Sequence, residues 1–382
     1  MNRPAPELFE VAPPEGCSMS YRNLYAARSE RAALAKRSCE GLWRDFRDLA
    51  DRNFRDRFPF EFHQRWFEMY VGASLRRAGL DVSAPKPGPD FRVVVDGAPI
   101  YIEAIAPTGG DPLHPDAVHE PIWREEDGSP RVVQVPHAKI TLRLAGAFRA
   151  KADVFDSYLG KDLVRERDPC IIAINLHDIP HAWADAQEYW FRALYGVGDR
   201  FIGLNQTGHA TTAGREYREL LARAGGAEED VAPLLNATRA GISGVLGSAA
   251  DAGNVANPAG DDFWLMPHAA PRAPFPRGLI KVGAEIVLHA SKDGGQQWDV
   301  ETVDYGAREP QGPVAFTVEY AGTRHEAEWT VAGRNLSVRI PAYAWTSVVP
   351  IQAGDDPATL AAENAAGILS VLASRPRRAR RE

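Results

Sequence analysis

The sequence predicts an α/β fold in which a mixed sheet is flanked by helices and followed by a C-terminal antiparallel β extension. The first observation is that strand-like runs alternate with helical patterns, from the strand at residues 91–95 to the helix at 137–159 and the buried strand at 169–175. The second is a series of short alternating segments between residues 286 and 351. The third is the composition: 382 residues, 45% hydrophobic and 25% charged, are enough for a large core.

The N-terminal part combines an irregular arm with two predicted helices. Residues 1–20 are rich in proline and have no periodicity, so we expect a loose arm. A helical pattern then runs from residue 22 to about residue 55, and Pro59 interrupts it. A second helix covers residues 60–77 and ends before Gly79.

Glycine and proline set the boundaries of the later elements. In order, we expect a hairpin at 91–106, an irregular loop at 108–135, a helix at 137–159, a strand at 169–175, helices at 189–195 and 213–222, a buried strand at 241–246 and a terminal helix at 357–373. These segments predict an N-terminal arm and helix (1–58), an α/β core (59–288), a small β-rich extension (289–356) and a terminal helix with a basic tail (357–382).

The hairpin carries one carboxylate on each arm. Asp96-Gly97 is a strong signal for a two-residue turn, and symmetric pairing about that turn places Asp90 directly opposite Glu103. A three-residue loop that includes Ala98 would shift the two acids by one position. Opposed side chains in a sheet lie about 4.5–5.5 Å apart at Cβ, where like charges repel. We therefore expect a divalent cation, Mg²⁺ or Mn²⁺, between the two carboxylates.

These motifs resemble the PD-(D/E)XK nuclease superfamily, in which a Pro-Asp and an acidic-x-Lys on adjacent strands bind the metal. Pro89-Asp90 and Glu103-Ala104-Ile105 stand at those places. A narrower resemblance to a divergent bacterial branch covers about residues 60–288. It implies a restriction-endonuclease-like mixed sheet and a Mg²⁺-dependent phosphodiesterase, a hydrolase acting on DNA.

The chain departs from that pattern because Ile105 replaces the motif lysine. A substitute can be sought on the helix at 137–159. On a helical wheel Lys151 falls at the edge of the apolar face, from where its long side chain could reach the hairpin. Arg143 is the second candidate, although it falls nearly opposite that face. The alternative is that Lys151 is an ordinary surface lysine.

Glu68 is the third acidic candidate. The helix at 60–77 is apolar around nearly its whole circumference and should be buried, which makes a lone carboxylate costly. The resemblance implies that a glutamate of this helix lies near the metal, so Glu68 is a candidate ligand with Asp90 and Glu103. The alternative is a salt bridge, for example to Arg65 or Arg143.

Charge and composition say less about function. The net charge of −7 argues against a general polyanion binder, although the region of residues 22–57 and the C-terminal tail are rich in arginine. DNA remains the expected partner. The three cysteines are far apart and predict no disulfide, and no apolar run could span a membrane, so we expect a cytoplasmic protein.

Two further groups of polar residues are weaker candidates. His114 and His119 lie among acidic residues, but their spacing fits no zinc pattern, and solvated loop residues are the expectation. Asn175, His177 and Asp178 follow a predicted buried strand, where active-site residues often lie in α/β sheets. A loop cap is the alternative for that group.

Two functions are compatible with the sequence. The first is a metal-dependent DNA nuclease that uses Asp90, Glu103 and Lys151, with Glu68 and Arg143 as additional candidates. The second is an inactive nuclease-fold protein that binds nucleic acid or protein. The retained pair of carboxylates favours the nuclease, and Ile105 favours the binding module. If Lys151 is catalytic, Lys151→Ala should abolish cleavage and leave thermal stability nearly unchanged.

Overall fold

The structure, a computed structural model, forms two compact units. It describes residues 7–122, 133–204, 210–255, 259–290, 298–305, 311–332, 335–340, 345–351 and 355–374. The first unit comprises residues 1–255 and 262–303, and the second comprises residues 256–261 and 304–382. The N-terminal 58 residues thus belong to the same unit as the large sheet.

The elements alternate as an α/β protein requires. The helices are α1 (Met19–Ala26), α2 (Glu30–Phe46), α3 (Phe54–Arg57), α4 (Phe62–Arg77), α5 (His137–Leu159), α6 (Ala186–Leu194) and α7 (Pro357–Ser374). The strands of the first unit are β1 (Asp81–Ser83), β2 (Phe91–Val95), β3 (Ala98–Ile105), β4 (Cys170–Asn175), β5 (Val197–Leu204), β6 (Ala210–Tyr217), β7 (Leu220–Ala222), β8 (Glu228–Asp230), β9 (Gly244–Ser248), β10 (Trp264–Pro267), β11 (Ala284–Ala290) and β12 (Trp298–Asp304). The second unit adds β13 (Gln311–Tyr320), β14 (Thr323–Ala332), β15 (Asn335–Ile340) and β16 (Trp345–Pro350).

An eight-stranded mixed sheet organises the first unit, in the order β1-β2-β3-β4-β9-β10-β11-β12. Strands β3, β4 and β9 run parallel, whereas β1 pairs antiparallel with β2 and β2 pairs antiparallel with β3. All six residues of β4 are buried, as expected for a central strand covered on both faces. The predicted mixed sheet flanked by helices is therefore confirmed.

The β2–β3 hairpin has the predicted two-residue turn. Val95 pairs with Ala98, and the pairing continues to Phe91 and Ile102. Asp96 and Gly97 both have positive φ, 50° and 79°, as a tight hairpin turn of this kind requires. The register excludes the three-residue loop.

Helix α4 covers one face of the hairpin. Ten of its sixteen residues are buried, which confirms the expectation from its apolar circumference. Gly72 allows close packing, because a Cβ there would lie 2.7 Å from a ring carbon of Phe46 on α2 and 2.9 Å from one of Phe91 on β2. Helix α4 is thereby held between α2 and the sheet.

Helix α5 covers the opposite face and has the predicted bounds. Its apolar residues Ile140, Leu144 and Phe148 share a buried core with Ile172 and Ile174 of β4. Ile105 packs against the same core. Side chains of β3 at odd positions, Glu103 among them, therefore point toward α5.

The N-terminal region differs from the sequence prediction in two ways. The single helix expected between residues 22 and 55 is divided into α1, α2 and α3. The described part of the arm is not loose, because Leu8 and Phe9 are buried and their backbone N–H groups donate to the Glu40 carboxylate at 3.0 and 2.9 Å. A long-range contact thus orders a segment that lacks any periodicity.

The helix predicted at 213–222 is wrong. Residues 210–217 form β6, which pairs antiparallel with β5, and residues 220–222 form β7, which pairs with β8. The Ala- and Glu-rich composition resembles a helix, but tertiary pairing with neighbouring strands overrides local propensity.

The second unit contains the predicted antiparallel β extension. Strands β13 to β16 form a four-stranded sheet in sequence order. Its core includes Trp329, Val331, Val338 and residues of α7 such as Ala365. The predicted arginine tail at 375–382 lies outside the described residues.

Two expectations about the whole chain can be compared with the structure. Within the described ranges, no helix is long and apolar enough to cross a membrane. Cys17, Cys39 and Cys170 are buried free thiols. Burial raises the pKa of the Cys39 and Cys170 thiols to about 12, so both stay protonated at neutral pH.

Candidate active site

Glu103 lies at the centre of the candidate site. Strand β3 positions it beneath α5, where only 3% of the residue is exposed. Its two carboxylate oxygens accept one hydrogen bond each: Lys151 Nζ donates to Oε2 at 2.6 Å, and the Tyr158 hydroxyl donates to Oε1 at 2.8 Å. Both donors come from α5. The carboxylate is thus buried, oriented and paired with a cation.

Lys151 reaches Glu103 from the position that the helical wheel predicted. Its side chain is 20% exposed, so the stem is largely covered while the ammonium contacts the acid. Ile105, at the place of the motif lysine, packs instead in the core shared with α5. A basic group therefore lies beside Glu103, although it comes from a helix rather than from β3.

Asp90 continues β2 by one residue and so faces Glu103. Pairing along the strands ends at Phe91 and Ile102. Beyond it, the Asp90 carboxylate accepts the backbone N–H of Ala104 at 2.8 Å. Burial, followed by the negative charge of Glu103, raises the pKa of Asp90 to about 6. Glu103 is thus close enough to influence the ionisation of Asp90.

Glu68 lies near Asp90 and also forms a salt bridge. Arg65 Nη1 contacts Glu68 Oε2 at 3.0 Å, and both side chains are 13% exposed. Burial first, and then the charge of Asp90, raise the pKa of Glu68 to about 7, while Arg65 lowers it. The two alternatives for Glu68 are therefore compatible: it is paired with Arg65 and it faces Asp90.

Gln64 holds the free edge of β3 beyond the end of β2. Its side-chain amide donates to the Ala104 carbonyl at 3.2 Å and accepts the Ala106 N–H at 2.8 Å. Together with the Asp90 carboxylate, Gln64 satisfies backbone groups that no strand pairs here. This fixes the backbone of β3 directly after Glu103.

Sequence reasoning missed two contributors, although helical spacing contains the signal for both. Tyr158 is seven residues after Lys151, which places the two side chains on the same side of α5. Gln64 is four residues before Glu68, one turn away on α4. A search for polar side chains one or two turns from each candidate would have found both residues.

Arg143 does not join the acids. Its Nε donates to the carbonyl oxygen of Thr108 at 2.9 Å. Burial and the nearby charge of Arg223 lower the pKa of Arg143. The side chain of Arg143, the second candidate to replace the motif lysine, therefore extends from α5 to the loop that follows β3 and supports the backbone of that loop.

The weaker candidates separate into two groups. In the loop after β3, the His114 ring accepts the N–H of Asp116 at 3.1 Å, and Asp116 accepts the N–H of Ala224 at 3.0 Å. These contacts organise the loop. By contrast, His177 and Asp178 follow β4 and pair with Asp251 at 3.1 Å and with His63 at 3.0 Å, respectively.

The carboxylate oxygens at the hairpin are ligands of the kind that a hard cation binds. Among the described residues, Lys151 contacts Glu103, and Arg65 contacts Glu68 but also pairs with Asp51 and Glu61, so the carboxylates outnumber the cations that contact them. Carboxylate oxygens are the protein ligands that Mg²⁺ prefers. Over the same described ranges, no group of three or more His, Cys, Asp or Glu side chains is arranged to hold a metal ion.

Comparison with known proteins identifies no relative of the chain. No protein-family model, curated protein or solved structure matches the chain. The arguments about function therefore depend on the residues themselves and on their geometry.

Proposed function

We propose that the protein is a Mg²⁺-dependent phosphodiesterase of the PD-(D/E)XK type that cleaves DNA. The observation that carries the proposal is the contact of Lys151 Nζ with Glu103 Oε2 at 2.6 Å, beside the buried carboxylate of Asp90. Lys151 of α5 would thus supply the basic group that β3 lacks, because Ile105 stands there in place of the motif lysine. It also supports a restriction-endonuclease-like reading of the mixed sheet.

Lys151 has the chemistry that phosphodiester cleavage requires of a basic residue. An ammonium has three N–H donors, and Glu103 accepts one of them. In this proposal the others hold the attacking water or a phosphate oxygen on which negative charge develops. Stabilising that charge in a site shielded from water is among the largest contributions to catalysis.

The other residues keep the acids in position. Tyr158 and Lys151 fix the two oxygens of Glu103, and the Ala104 N–H fixes Asp90. Gln64 holds the backbone of Ala104 and Ala106, directly after Glu103. A site whose groups are oriented before substrate arrives avoids the cost of reorganisation during the reaction.

Asp90 and Glu103 are the residues that would hold the cation, with Glu68 completing the negative side of the site. A divalent ion at such a pair supplies a more acidic water and a positive charge that offsets the phosphate. Two carboxylates with water and substrate phosphate are sufficient for Mg²⁺. The proposal therefore does not require a preformed cage of three acidic ligands.

The test is cleavage of plasmid DNA and of labelled oligonucleotides, single- and double-stranded, with and without Mg²⁺ or Mn²⁺. We expect metal-dependent cleavage that Lys151→Ala, Asp90→Asn and Glu103→Gln each reduce at least about 100-fold. Lys139→Ala is the matched control, because Lys139 is on the same helix and donates to the Ala117 carbonyl at 3.4 Å. It should cleave like the unaltered protein.

Two results would contradict the nuclease. One is the absence of cleavage on every substrate by folded, metal-loaded protein; the other is full activity of Lys151→Ala. Metal-independent binding of DNA without cleavage would instead favour the alternative suggested by Ile105, an inactive nuclease-fold binding module. Calorimetric titration with Mg²⁺ and Mn²⁺ separates loss of metal binding from loss of chemistry.

A further inference from the structure

A cavity of about 730 Å³ opens where β3 and β4 end, beside the loop that follows each strand. The carboxyl ends of parallel strands are where α/β sheets bind ligands, and this volume is typical of a small-molecule site. Its lining includes Gly109, Gly110, His177, Asp178 and Trp183. The acids of the proposed active site are not part of that lining.

Trp183 gives this cavity an aromatic wall. The side chain is 59% exposed, which is unusual for tryptophan, and it lies in a 3-10 turn just after β4. His181, which also lines the cavity, has a positive φ of 69° although it is not glycine. Backbone strain of this kind occurs mainly where function requires a particular side-chain position.

The polar wall is held by contacts to α4, to α1 and to the loop after β9. His63 on α4 contacts Asp178 at 3.0 Å through Nδ1, and its Nε2 contacts the hydroxyl of Ser20 on α1 at 3.1 Å. His177 contacts Asp251 at 3.1 Å through Nε2 and the Ala249 carbonyl at 3.3 Å through Nδ1. Asp178 is therefore oriented before any ligand binds.

The charged groups that line the cavity determine which kind of ligand it can bind. Asp178 and Glu120 both line the cavity. Burial is the main cause of the raised pKa of Asp178, and the negative charge of Glu120 also raises it. His177 and Asp251 are paired with each other. Two carboxylates repel phosphate but accept N–H donors, and the planar ring of Trp183 stacks on another planar ring.

We propose that this cavity binds an unstacked nucleobase that carries an exocyclic amine: adenine, cytosine or guanine. Trp183 stacks on the base and Asp178, with Glu120, accepts its N–H groups. This assignment rests on the proposed function, since it makes the base part of the DNA strand being cleaved. The substrate is then single-stranded DNA, or a duplex from which one base is displaced.

The cavity is within reach of a strand held at the acids. His63, which orients Asp178, is five residues before Glu68 on α4, about 7.5 Å along a helix axis at 1.5 Å per residue. Thr108, at the cavity, is five residues after Glu103, at most about 17 Å along an extended chain. Stacked nucleotides advance about 3.4 Å each, so some five nucleotides bridge the two places.

The test uses the full-length protein in EDTA with single-stranded oligonucleotides that contain 2-aminopurine, a fluorescent base with an exocyclic amine. We expect its fluorescence to be quenched on binding and Trp183→Ala to weaken the affinity about tenfold or more. Trp183→Phe, which keeps a ring, should recover most of the loss. Tyr217→Ala, an equally exposed aromatic residue of β6, is the matched control.

Ligand preference provides the second measurement. Adenosine, cytidine and guanosine, free or within an oligonucleotide, should compete better than uridine or thymidine, and Asp178→Asn should reduce that preference. Equal competition by uridine, competition only by an organic cation such as spermidine or choline, or an unchanged Trp183→Ala would overturn the proposal. If the protein binds bases in this way but never cleaves DNA, the assignment of the cavity stands and the proposed nuclease function is rejected.

Discussion

The first unit contains two clusters of acids that are built in opposite ways. At the β2–β3 hairpin, Glu103 is almost wholly buried and both of its oxygens accept hydrogen bonds from α5. At the ends of β3 and β4, Asp178 lines an open cavity and pairs with His63, and the side chains of His63 and Asp178 are 34% and 19% exposed. The charge of the hairpin cluster is shielded from water, whereas the polar side chains of the cavity cluster are partly exposed to it.

The difference determines how each cluster contributes to stability. Buried charges interact strongly with one another, so the loss of a single partner at Glu103 leaves an uncompensated ion. The His63–Asp178 pair is partly exposed, so water screens it and it contributes less. The hairpin cluster should therefore show large, coupled effects of substitution, and the cavity cluster should show small effects on stability but measurable effects on ligands.

The largest effect is expected at Lys151. Because Glu103 is buried, Lys151→Ala should lower the free energy of unfolding by about 3 kcal/mol, measured by urea denaturation. This replaces the expectation from the sequence that the substitution leaves stability nearly unchanged. The remaining Tyr158 hydrogen bond limits the loss.

A double substitution separates charge from packing. Adding Glu103→Gln to Lys151→Ala removes the orphaned charge and should recover more than half of the lost stability. Lys139→Ala, the control on the same helix, should change stability by less than about 0.5 kcal/mol. If the double variant is as unstable as the single one, burial of charge at Glu103 is not what makes this cluster sensitive.

A smaller effect is expected at Tyr158. Tyr158→Phe removes one hydrogen bond to Glu103 and should cost about 1 kcal/mol of stability while slowing cleavage about tenfold. Tyr195→Phe removes a comparable bond, to the Pro267 carbonyl at 2.8 Å, far from the acids in sequence. It should cost similar stability with unchanged cleavage. Equal kinetic losses in both variants would show that Tyr158 has only a structural role.

These residues also show what the sequence can predict. The hairpin was predictable because its determinants are local: alternating apolar residues and the Asp96-Gly97 turn fix the register. The position of Lys151 was predictable because a helix of 23 residues has a fixed periodicity. Together they brought Asp90, Glu103 and Lys151 to one place without any knowledge of the sheet.

What could not be predicted depends on contacts between distant segments. The arm at residues 7–18 is ordered by Glu40, and β6 forms only because β5 lies beside it. Arg143 lies in the correct helix but faces the Thr108 carbonyl, which a helical wheel cannot reveal. The role of Gln64 depends on where β2 stops, a boundary that the sequence fixes only to within a few residues.

The pH dependence of stability should differ in sign between Asp90 of the hairpin cluster and His63 of the cavity cluster. In the hairpin cluster, burial and Glu103 raise the pKa of Asp90 from 3.8 to about 6. The folded state therefore holds a proton that the unfolded state has lost between about pH 4 and 6, and stability falls as the pH rises through this range. Asp90→Asn should stabilise the metal-free protein at pH 7 by about 1 kcal/mol, after allowance for partial solvation, and the gain should vanish below pH 4.

His63 in the cavity cluster should behave in the opposite way. Burial, and then the positive charge of His177, lower the pKa of His63 from 6.5 to about 4. The unfolded state therefore binds the proton first as the pH falls from 6.5 to 4, so this residue makes the protein less stable in acid. His63→Asn should cost a few tenths of a kcal/mol at pH 8, where only a partly exposed contact is lost, and should become neutral or stabilising near pH 5. Thermal melts of both variants across pH 4–8 test the contrast: parallel pH profiles for Asp90→Asn and His63→Asn would show that these two residues do not contribute to the pH dependence of stability with opposite sign.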